Sequence, residues 1–308
     1  MPETRIIASG LQFPEGPVAE ADGSVLLVEI QRETVSRVRP DGTVEVVAQL
    51  GGGPNGLAVG PDGALYVCNN GGFLFHHDGG YNRMRRGVHP HYTSGRIERL
   101  DPATGELRTL YDRCGDHPLR GPNDIVFDRS GGFYFTDYGK HRERERDYGG
   151  LYYGRADGSR IVEVAYPMET PNGVGLSPDD STVYVSETET GRLWAFDLEA
   201  PGQPKRHPFP SPHGGRLVCG LPGYQRFDSM AVDARGNICV ATLITGCITV
   251  ISPDGTVLNQ VMLPDDPIVT NICFGGPDRR TAYITLSGTG RLAAMDWPEP
   301  GCPLAYRR

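Results

Sequence analysis

Short apolar runs separated by turn residues recur along the whole chain, and no stretch of useful length shows the period of a helix. Residues 25–28, 65–67 and 133–135 are runs of this kind, rich in β-branched and aromatic side chains. Asp22-Gly23 precedes the first run, and Pro61-Asp62-Gly63 precedes the second. Apolar runs bounded by such turns predict antiparallel β-hairpins.

A longer unit repeats six times and begins at one motif position. There, an oxygen-bearing side chain leads into a short apolar strand. The six residues at this position are Glu15, Asn55, Asn123, Asn172, Asp228 and Asn271. A second and a third strand follow each of them, and most copies have a fourth. Six units of four antiparallel strands predict an all-β fold, a six-bladed β-propeller that takes residues 1–308 as a single domain.

The two ends of the chain complement each other in this pattern. The last unit stops after its third strand, near Trp297, whereas one strand at residues 5–8 precedes the first motif. We therefore predict that the N-terminal strand completes the last blade as its outermost strand, which removes an open edge. Two units carry long insertions, residues 73–93 and 201–224, and we expect both to shape the mouth of a site.

The motif position begins the innermost strand of each blade, so its side chains are expected to face the central channel at one end. Inner strands otherwise carry small or apolar side chains, whereas these offer carboxylate and amide oxygens, the ligands of hard divalent cations. Turn formation is the structural alternative for the Asn-Gly copies. Glu15 and Asp228 argue against it for the whole set, because two carboxylates facing one channel repel unless a cation or a proton lies between them.

Further polar residues are expected at the same end of the channel. Asn55 belongs to the ring, and Asp137 and Tyr138 follow the second strand of the third unit. We expect these three residues to contact a substrate, with a purely structural role left open for Asp137 and Tyr138. Calcium is the expected metal, and zinc, magnesium and manganese remain open.

Composition excludes several classes of partner. The 308 residues carry a formal net charge of -8, so neither nucleic acid nor a membrane is an expected partner, since both require basic surfaces. The 7 cysteines are scattered without a Cys-x-x-Cys pair, which favours reduced thiols over a disulfide framework or a zinc site. No apolar leader precedes the first motif, and we expect a cytoplasmic protein.

Four segments of the chain carry a family resemblance. They are Phe13-Pro14-Glu15-Gly16-Pro17, Pro122-Asn123-Asp124 with Phe133-Tyr134-Phe135-Thr136-Asp137, Pro171-Asn172-Gly173-Val174-Gly175-Leu176-Ser177-Pro178-Asp179, and the segment around Asp228. Together they resemble the gluconolactonase, senescence-marker-protein-30 and luciferin-regenerating-enzyme family over essentially the whole chain. The resemblance implies one divalent metal, calcium or zinc, with Glu15, Asn172 and Asp228 as ligands. It also implies that Asn123 contacts the substrate and a metal-bound water, and that the reaction is hydrolysis of sugar lactones.

The chain departs from this family pattern at two places. Gly121 stands where sugar-lactone members often have an arginine two residues before the motif asparagine. Gln225-Arg226-Phe227 replaces the usual Pro-Asp-Gly before Asp228. Both departures bear on the substrate more than on the metal.

The resulting hypothesis is a metal-dependent hydrolase that opens a small lactone. Asp228 would act as general base, and Asn123 would hold the carbonyl oxygen or the attacking water. The sequence has no Gly-x-Ser-x-Gly elbow, which argues against a serine nucleophile. Three alternatives stay open: a paraoxonase-like esterase, a strictosidine-synthase-like enzyme and a non-catalytic calcium-binding propeller.

Overall fold

The computed structural model describes residues 3–263 and 265–308. Within these ranges the chain forms six antiparallel blades of four strands, one of them with a short additional strand, and no helix. The inner strands of neighbouring blades contact one another around a closed ring. The predicted six-bladed β-propeller is therefore confirmed. No helix in the described part of the chain is long and apolar enough to cross a membrane.

The first half of the chain supplies three complete blades. It begins with β1 (Arg5–Ser9). Blade 1 consists of β2 (Pro14–Ala19), β3 (Val25–Glu29), β4 (Thr34–Val38) and β5 (Val44–Gln49). Blade 2 contains β6 (Pro54–Val59) and β7 (Leu65–Asn69), then the hairpin β8 (Leu74–Asp78) and β9 (Tyr81–Arg85), then β10 (Arg96–Leu100) and β11 (Leu107–Tyr111). After the short ribbon β12 (Arg113–Cys114) and β13 (His117–Pro118), blade 3 consists of β14 (Pro122–Phe127), β15 (Gly132–Asp137), β16 (Gly149–Arg155) and β17 (Ile161–Met168).

The second half supplies the other three blades. Blade 4 consists of β18 (Pro171–Leu176), β19 (Thr182–Glu187), β20 (Arg192–Ala200), the short β21 (Gln203–Pro204) and β22 (Arg216–Gly220). Blade 5 consists of β23 (Arg226–Val232), β24 (Ile238–Leu243), β25 (Cys247–Ile251) and β26 (Val257–Met262). Blade 6 contains β27 (Val269–Gly275), β28 (Thr281–Leu286) and β29 (Arg291–Asp296).

The N-terminal strand completes blade 6, as predicted. β1 pairs antiparallel with β29, with Arg5 opposite Ala294 and Ser9 opposite Arg291. Leu11 N then donates to Gly290 O at 3.0 Å. Blade 6 therefore takes three strands from the end of the chain and its outermost strand from the beginning, which ties the first blade to the last.

The hydrophobic core is divided into six clusters, one between each pair of neighbouring blades. The interface between blades 1 and 2, for example, buries Leu26, Val28, Leu57 and Leu65. Each fully buried aliphatic side chain contributes about 1.5–3 kcal/mol. Because the blades bury their apolar faces against each other, the start of each inner strand is free to carry polar groups.

The inner strands are irregular at the motif position. In blade 1 the pairing of β2 with β3 shifts register between Glu15 and Val18, and blades 2 to 5 shift at the corresponding place. Such β-bulges re-aim side chains and are common beside functional sites. The motif residues therefore lie inside bulged strands, and the interpretation of the Asn-Gly copies as turns is wrong.

The two insertions differ in position. Residues 73–93 contain the hairpin β8–β9, which lines the pocket described below, as expected. Residues 201–224 instead run along β20 as β21 and β22, and none of them lines that pocket. The expectation for this second insertion is wrong for a topological reason. It follows a third strand, which ends at the far end of the blade, whereas the first insertion follows a second strand, which ends at the site.

The C-terminal segment caps the far end of the channel. Residues 302–306 line a small cavity of about 130 Å³ among the inner strands. The Tyr306 ring packs edge-on against Phe127, with centroids 5.6 Å apart. The pocket at the other end of the channel is therefore the one with a mouth formed by loops.

Candidate functional site

A cavity of about 580 Å³ opens at the end of the channel where the inner strands begin. Five of the six predicted ring residues line it: Glu15, Asn55, Asn123, Asn172 and Asp228. Each is the second or third residue of its inner strand. Their exposed fractions are only 3–6 %, so these side chains form the floor of the cavity and not its rim.

The sixth ring position is Thr270 and not Asn271. Thr270 lines the cavity, whereas Asn271 lies one layer deeper, where it lines the lower cavity together with Gly16 and Asp124. The predicted alignment of the last copy was thus displaced by one residue. A displacement of one residue along a strand turns a side chain to a different face, which is why the error matters here.

Glu15 is fixed by two hydrogen bonds that fall on the same oxygen. Its Oε2 accepts from Gly16 N and from Asn271 Nδ2, both at 2.7 Å. Burial raises the pKa of Glu15 to about 7, against the lowering effect of these hydrogen bonds. No cationic side chain is among the groups that act on it. A bound cation would therefore stabilise its carboxylate form.

Asp228 and Asn172 are linked through Ser229. Asp228 Oδ1 accepts from Ser229 N at 3.1 Å, and Ser229 Oγ donates to Asn172 Oδ1 at 3.3 Å. Asn172 Nδ2 donates to Thr188 Oγ1 at 3.0 Å. Burial raises the pKa of Asp228 well above its usual range, and repulsion from Glu15 raises it further. Two carboxylates that repel each other thus share the floor of the cavity.

Asn123 presents an acceptor atom without a partner. Its Oδ1 is buried and accepts no hydrogen bond from the part of the chain that the structure describes. Leaving a buried acceptor unsatisfied costs about 1–3 kcal/mol. Buried polar groups are generally satisfied, so the atom is placed to accept a hydrogen bond from a ligand or a water.

The floor of the cavity offers a donor set suited to a hard divalent ion. Glu15 and Asp228 supply carboxylate oxygens, and Asn172 supplies an amide oxygen. Among the described residues no group of three or more His, Cys, Asp and Glu side chains is placed to hold a metal. The set found here has only two residues of those types, because its third donor is an amide. Oxygen donors alone favour calcium, magnesium or manganese over zinc.

The acidic residues that end the second strands brace loops. Asp137 Oδ2 accepts from Arg120 N at 2.6 Å, and its Oδ1 accepts from Gly121 N at 2.7 Å. Glu29 and Glu187 hold the corresponding loops of blades 1 and 4 in the same way. Asp137, expected to contact a substrate, does not line the cavity. Its hydrogen-bonding capacity is already used to fix the loop that leads into Asn123.

Tyr138 lines the cavity, and its contact with a substrate stays a prediction. Burial raises the pKa of its hydroxyl, and the negative charges of Glu189 and Asp228 raise it further. The phenol therefore stays protonated at neutral pH and can donate a hydrogen bond to a ligand. The neighbouring His141 ring lies 5.5 Å from that of Tyr138, centroid to centroid.

Several pocket residues were missed because they lie outside the six repeat positions. His141, Glu189, Arg226, Arg85 and Arg86 all line the cavity. Arg226 pairs with Glu189 at 3.1 Å. His141 and Glu189 come shortly after the second strands of blades 3 and 4. Following those strands a few residues further in the sequence would have identified both.

The hairpin β8–β9 crosses the mouth of the cavity. Asn82 N donates to Gly288 O of blade 6 at 2.7 Å. Phe75 packs against Phe13 of blade 1, with ring centroids 5.2 Å apart. Just beyond the hairpin, Gly87 N donates to His141 O of blade 3 at 3.3 Å. The hairpin thus leaves blade 2 and reaches blades 6, 1 and 3 over the channel.

Lys140 fastens both ends of this insertion. The residue is only 1 % exposed, and its Nζ donates to Gly72 O at 2.8 Å. The same Nζ lies 4.3 Å from the ring centre of Phe73 and 4.9 Å from that of Tyr92. Burial lowers the pKa of Lys140 to about 7. Gly72 and Phe73 lie at the start of the insertion and Tyr92 lies at its end, so the Lys140 side chain contacts both ends.

Fold and site together define a β-propeller with an oxygen-lined pocket at one end of its channel. Residues 13–288 match the family model described as SMP-30/Gluconolactonase/LRE-like region. The chain belongs to this family, and the resemblance seen in the sequence motifs is confirmed.

Two relatives of known name cover most of the chain. The gluconolactonase of Zymomonas mobilis is 28% identical, over 92% of this chain and 78% of its own length. The lactonase drp35 of Staphylococcus epidermidis is 28% identical, over 85% of this chain and 73% of its own length. Both relatives are therefore similar to this chain over most of its length.

Solved structures show the same fold. A gluconolactonase from Xanthomonas campestris superimposes with a TM-score of 0.74 at 25% identity, covering 96% of this chain and 89% of its own. A calcium-binding regucalcin from Agrobacterium tumefaciens reaches the same TM-score of 0.74 at 20% identity, covering 98% of both chains. At this lower identity the likeness concerns the fold alone.

Proposed function

We propose that the protein is a hydrolase that opens a small lactone with one divalent metal ion bound at the floor of the pocket. The observation that carries the proposal is the pair of buried carboxylates, Glu15 and Asp228, with no cationic partner from the described residues acting on either. The gluconolactonase and the lactonase among the relatives support the reaction class.

Glu15, Asn172 and Asp228 would hold the ion, and calcium suits their all-oxygen donor set. Such an ion supplies a Lewis acid that polarises the carbonyl of the lactone. A bound cation would lower the raised pKa values of the two carboxylates and keep both ionised. Ser229 and Asn271 keep these ligands in place through the hydrogen bonds already described.

The chain's own residues would handle the water and the proton. Asp228 takes the proton from the attacking water as general base. Asn123 Oδ1, the acceptor without a partner, accepts a hydrogen bond from that water and so fixes its direction of attack. Tyr138 donates to a substrate oxygen. The hairpin β8–β9 covers the mouth and limits the access of bulk water.

The test is hydrolysis of sugar, aliphatic and aromatic lactones by chelator-treated protein, with calcium, zinc, magnesium and manganese restored in turn. We expect activity toward one lactone class, its loss on chelation and its recovery with one ion. Asp228→Ala should lower kcat by about 10²-fold or more and weaken metal binding in calorimetric titration. Asp254→Ala, on an exposed turn between β25 and β26, is the matched control and should change neither.

The outcomes separate the two parts of the proposal. Lactone hydrolysis that survives complete chelation would contradict the metal and leave the reaction class standing. Inertness toward every lactone, in metal-loaded protein that binds the ion, would contradict the reaction class. Full activity and full metal binding in Asp228→Ala would remove that residue from both roles.

A further inference from the structure

Arginines outnumber carboxylates among the charged side chains that line the cavity, although the chain as a whole is acidic. Arg83, Arg85, Arg86 and Arg226 line it, against three carboxylates, whereas the whole chain has a formal net charge of -8. Three of these arginines lie on or beside β9, in the hairpin that crosses the mouth. A cleft lined by one sign of charge raises the local concentration of ligands of the opposite sign.

Neighbouring carboxylates neutralise only part of this positive charge. Arg83 pairs with Asp78 at 2.8 Å, and Arg226 pairs with Glu189 at 3.1 Å. Arg85 and Arg86 are exposed, and neither forms an ion pair within residues 3–263 and 265–308. Two guanidinium groups at the rim therefore remain for a ligand.

His141 lies within electrostatic range of two of these arginines, Arg86 and Arg226. It lines the cavity, and its Nε2 is buried without a hydrogen-bond partner among the described residues. Burial lowers the pKa of His141; Glu189 acts in the opposite direction, and Arg146, Arg86 and Arg226 lower the pKa further. A ligand at this rim would meet two free guanidinium groups and one unused imidazole nitrogen.

We propose that the lactone hydrolysed here carries a second, anionic group, a carboxylate or a phosphate, which binds to Arg85, Arg86 and His141. The inference rests on the proposed function, since it names the substrate class of the same pocket. Guanidinium groups bind both kinds of anion through paired N–H donors. The lactone carbonyl then reaches the carboxylate floor while the anionic group stays at the rim, so the two ends of the substrate are held by different chemistry.

This arrangement also accounts for a departure noted in the sequence. Gly121 replaces the arginine that often precedes the motif asparagine, and the nearby Arg120 does not line the cavity. The arginines that line the cavity lie instead mainly on the hairpin between β7 and β10. Arginine side chains at the rim, and not beside the motif asparagine, favour a substrate whose negative charge is remote from the reacting carbonyl.

The test compares three lactones of one sugar: the neutral aldonolactone, the analogue with a terminal carboxylate and the analogue with a terminal phosphate. We expect kcat/KM for one or both anionic lactones to exceed that for the neutral one, with an advantage that shrinks as salt is raised. In Arg85→Gln/Arg86→Gln this ratio should fall about tenfold, the effect of two exposed ion pairs. The matched control, Arg108→Gln/Arg113→Gln, alters two exposed arginines of the blade 2 region that do not line the cavity and should leave the ratio unchanged.

Each outcome bears on the subsite separately from the reaction. Equal kcat/KM for the neutral and anionic lactones would overturn the anion subsite proposed at Arg85, Arg86 and His141. A higher kcat/KM for the anionic lactones that persists in Arg85→Gln/Arg86→Gln would overturn it as well. Either result would leave the proposed lactonase activity intact. If no lactone is hydrolysed, calorimetric titration with the open-chain dicarboxylate and with the phosphorylated acid decides the point. Binding weakened about tenfold in the double variant supports the anion subsite, and no binding overturns it. The carboxylate and phosphate arms identify which anion is preferred.

Discussion

At the scale of single residues, the glycine that follows Glu15, Asn55 and Asn172 is dictated by how closely the inner strands approach. A Cβ on Gly16 would lie 2.6 Å from Asn55 O, and one on Gly56 would lie 2.5 Å from Asn123 O. Gly16 also has a φ of 51°, which favours glycine. The Asn-Gly pair at Asn55 therefore marks a close crossing of strands around the channel and not a turn.

Gly16→Ala is expected to destabilise the protein strongly. The added methyl group meets backbone atoms that cannot move away, and the positive φ adds strain, so we expect a loss of about 3 kcal/mol or more. Gly63→Ala is the control, because Gly63 has a φ of 74° with nothing within 4 Å of its Cβ position. That control should lose only the backbone strain of about 1–2 kcal/mol. Urea denaturation measures both, and equal losses would contradict the close approach.

The residues of the floor could be predicted from the sequence because they repeat. Glu15, Asn172 and Asp228 occupy one position of a six-fold pattern, so one alignment places them together. Thr270 could not be chosen over Asn271, because both carry oxygen and only the local strand register decides between them. His141 occurs once, in a loop whose path no repeat specifies.

At the scale of elements, hydroxyl groups on the second strands of blades 3 and 4 tie each of these blades to the motif of the next. Ser186 Oγ, on β19, donates to Asp228 O at 2.6 Å. Thr136 Oγ1, on β15, donates in the same way to Asn172 O. The bulges that carry Asn172 and Asp228 are therefore each fixed by the preceding blade, and this part of the floor depends on the contacts between neighbouring blades.

The hairpin β8–β9 shows what element-level patterns leave open. An insertion rich in histidine, glycine and aromatic residues predicts a loop near the site, because the preceding strand ends there. Its path across the channel depends on Asn82 meeting Gly288 and Phe75 meeting Phe13. Both partners come from other blades, so these contacts exist only once the ring has closed.

Lys140→Met tests the anchor of this hairpin through pH. The folded pKa is about 7 and the ordinary value is 10.5, so between those values the unfolded chain binds more protons. The contribution of Lys140 to the free energy of unfolding therefore rises with pH in that window. Below pH 7 the lysine is charged in both states, and the full cost of burying the charge remains. In urea denaturation, we expect the free energy of unfolding of the wild type to rise relative to that of Lys140→Met between pH 7 and pH 10.

The only other lysine in the sequence supplies the control. Lys205 is exposed and lies outside the insertion at residues 73–93, so Lys205→Met should change the free energy of unfolding by no more than about 0.5 kcal/mol. In Lys140→Met, amide hydrogen exchange should also accelerate across residues 74–85, because the two ends of the insertion lose their common anchor. Parallel pH profiles for the wild type and Lys140→Met would show that the lysine titrates as it does in water.

At the scale of the whole molecule, the two terminal segments have different structural roles. The N-terminal strand completes the last blade, and the C-terminal segment caps the channel. The closing strand β1 could be predicted, because an unpaired strand at one end matched a blade with one strand too few at the other. The capping segment 302–306 could not, because it has no repeat pattern. Its role depends on the width of the channel, which only the six inner strands together determine.

Removal of residues 1–9 tests whether β1 holds the ring together. Without it, β29 becomes an open edge, and the cluster that includes Ala8, Val25 and Leu292 loses one side. We expect the unfolding temperature to fall by about 10 °C, the effect of a loss of several kcal/mol in a domain of this size, and self-association to increase through the exposed edge. Removal of residues 303–308 is the comparison, because it uncaps the channel without opening a sheet, so it should lower stability without promoting association. If both truncations behave alike in calorimetry and sedimentation, closure by β1 is not what distinguishes the two ends, and the ring is held instead by the packing of its inner strands.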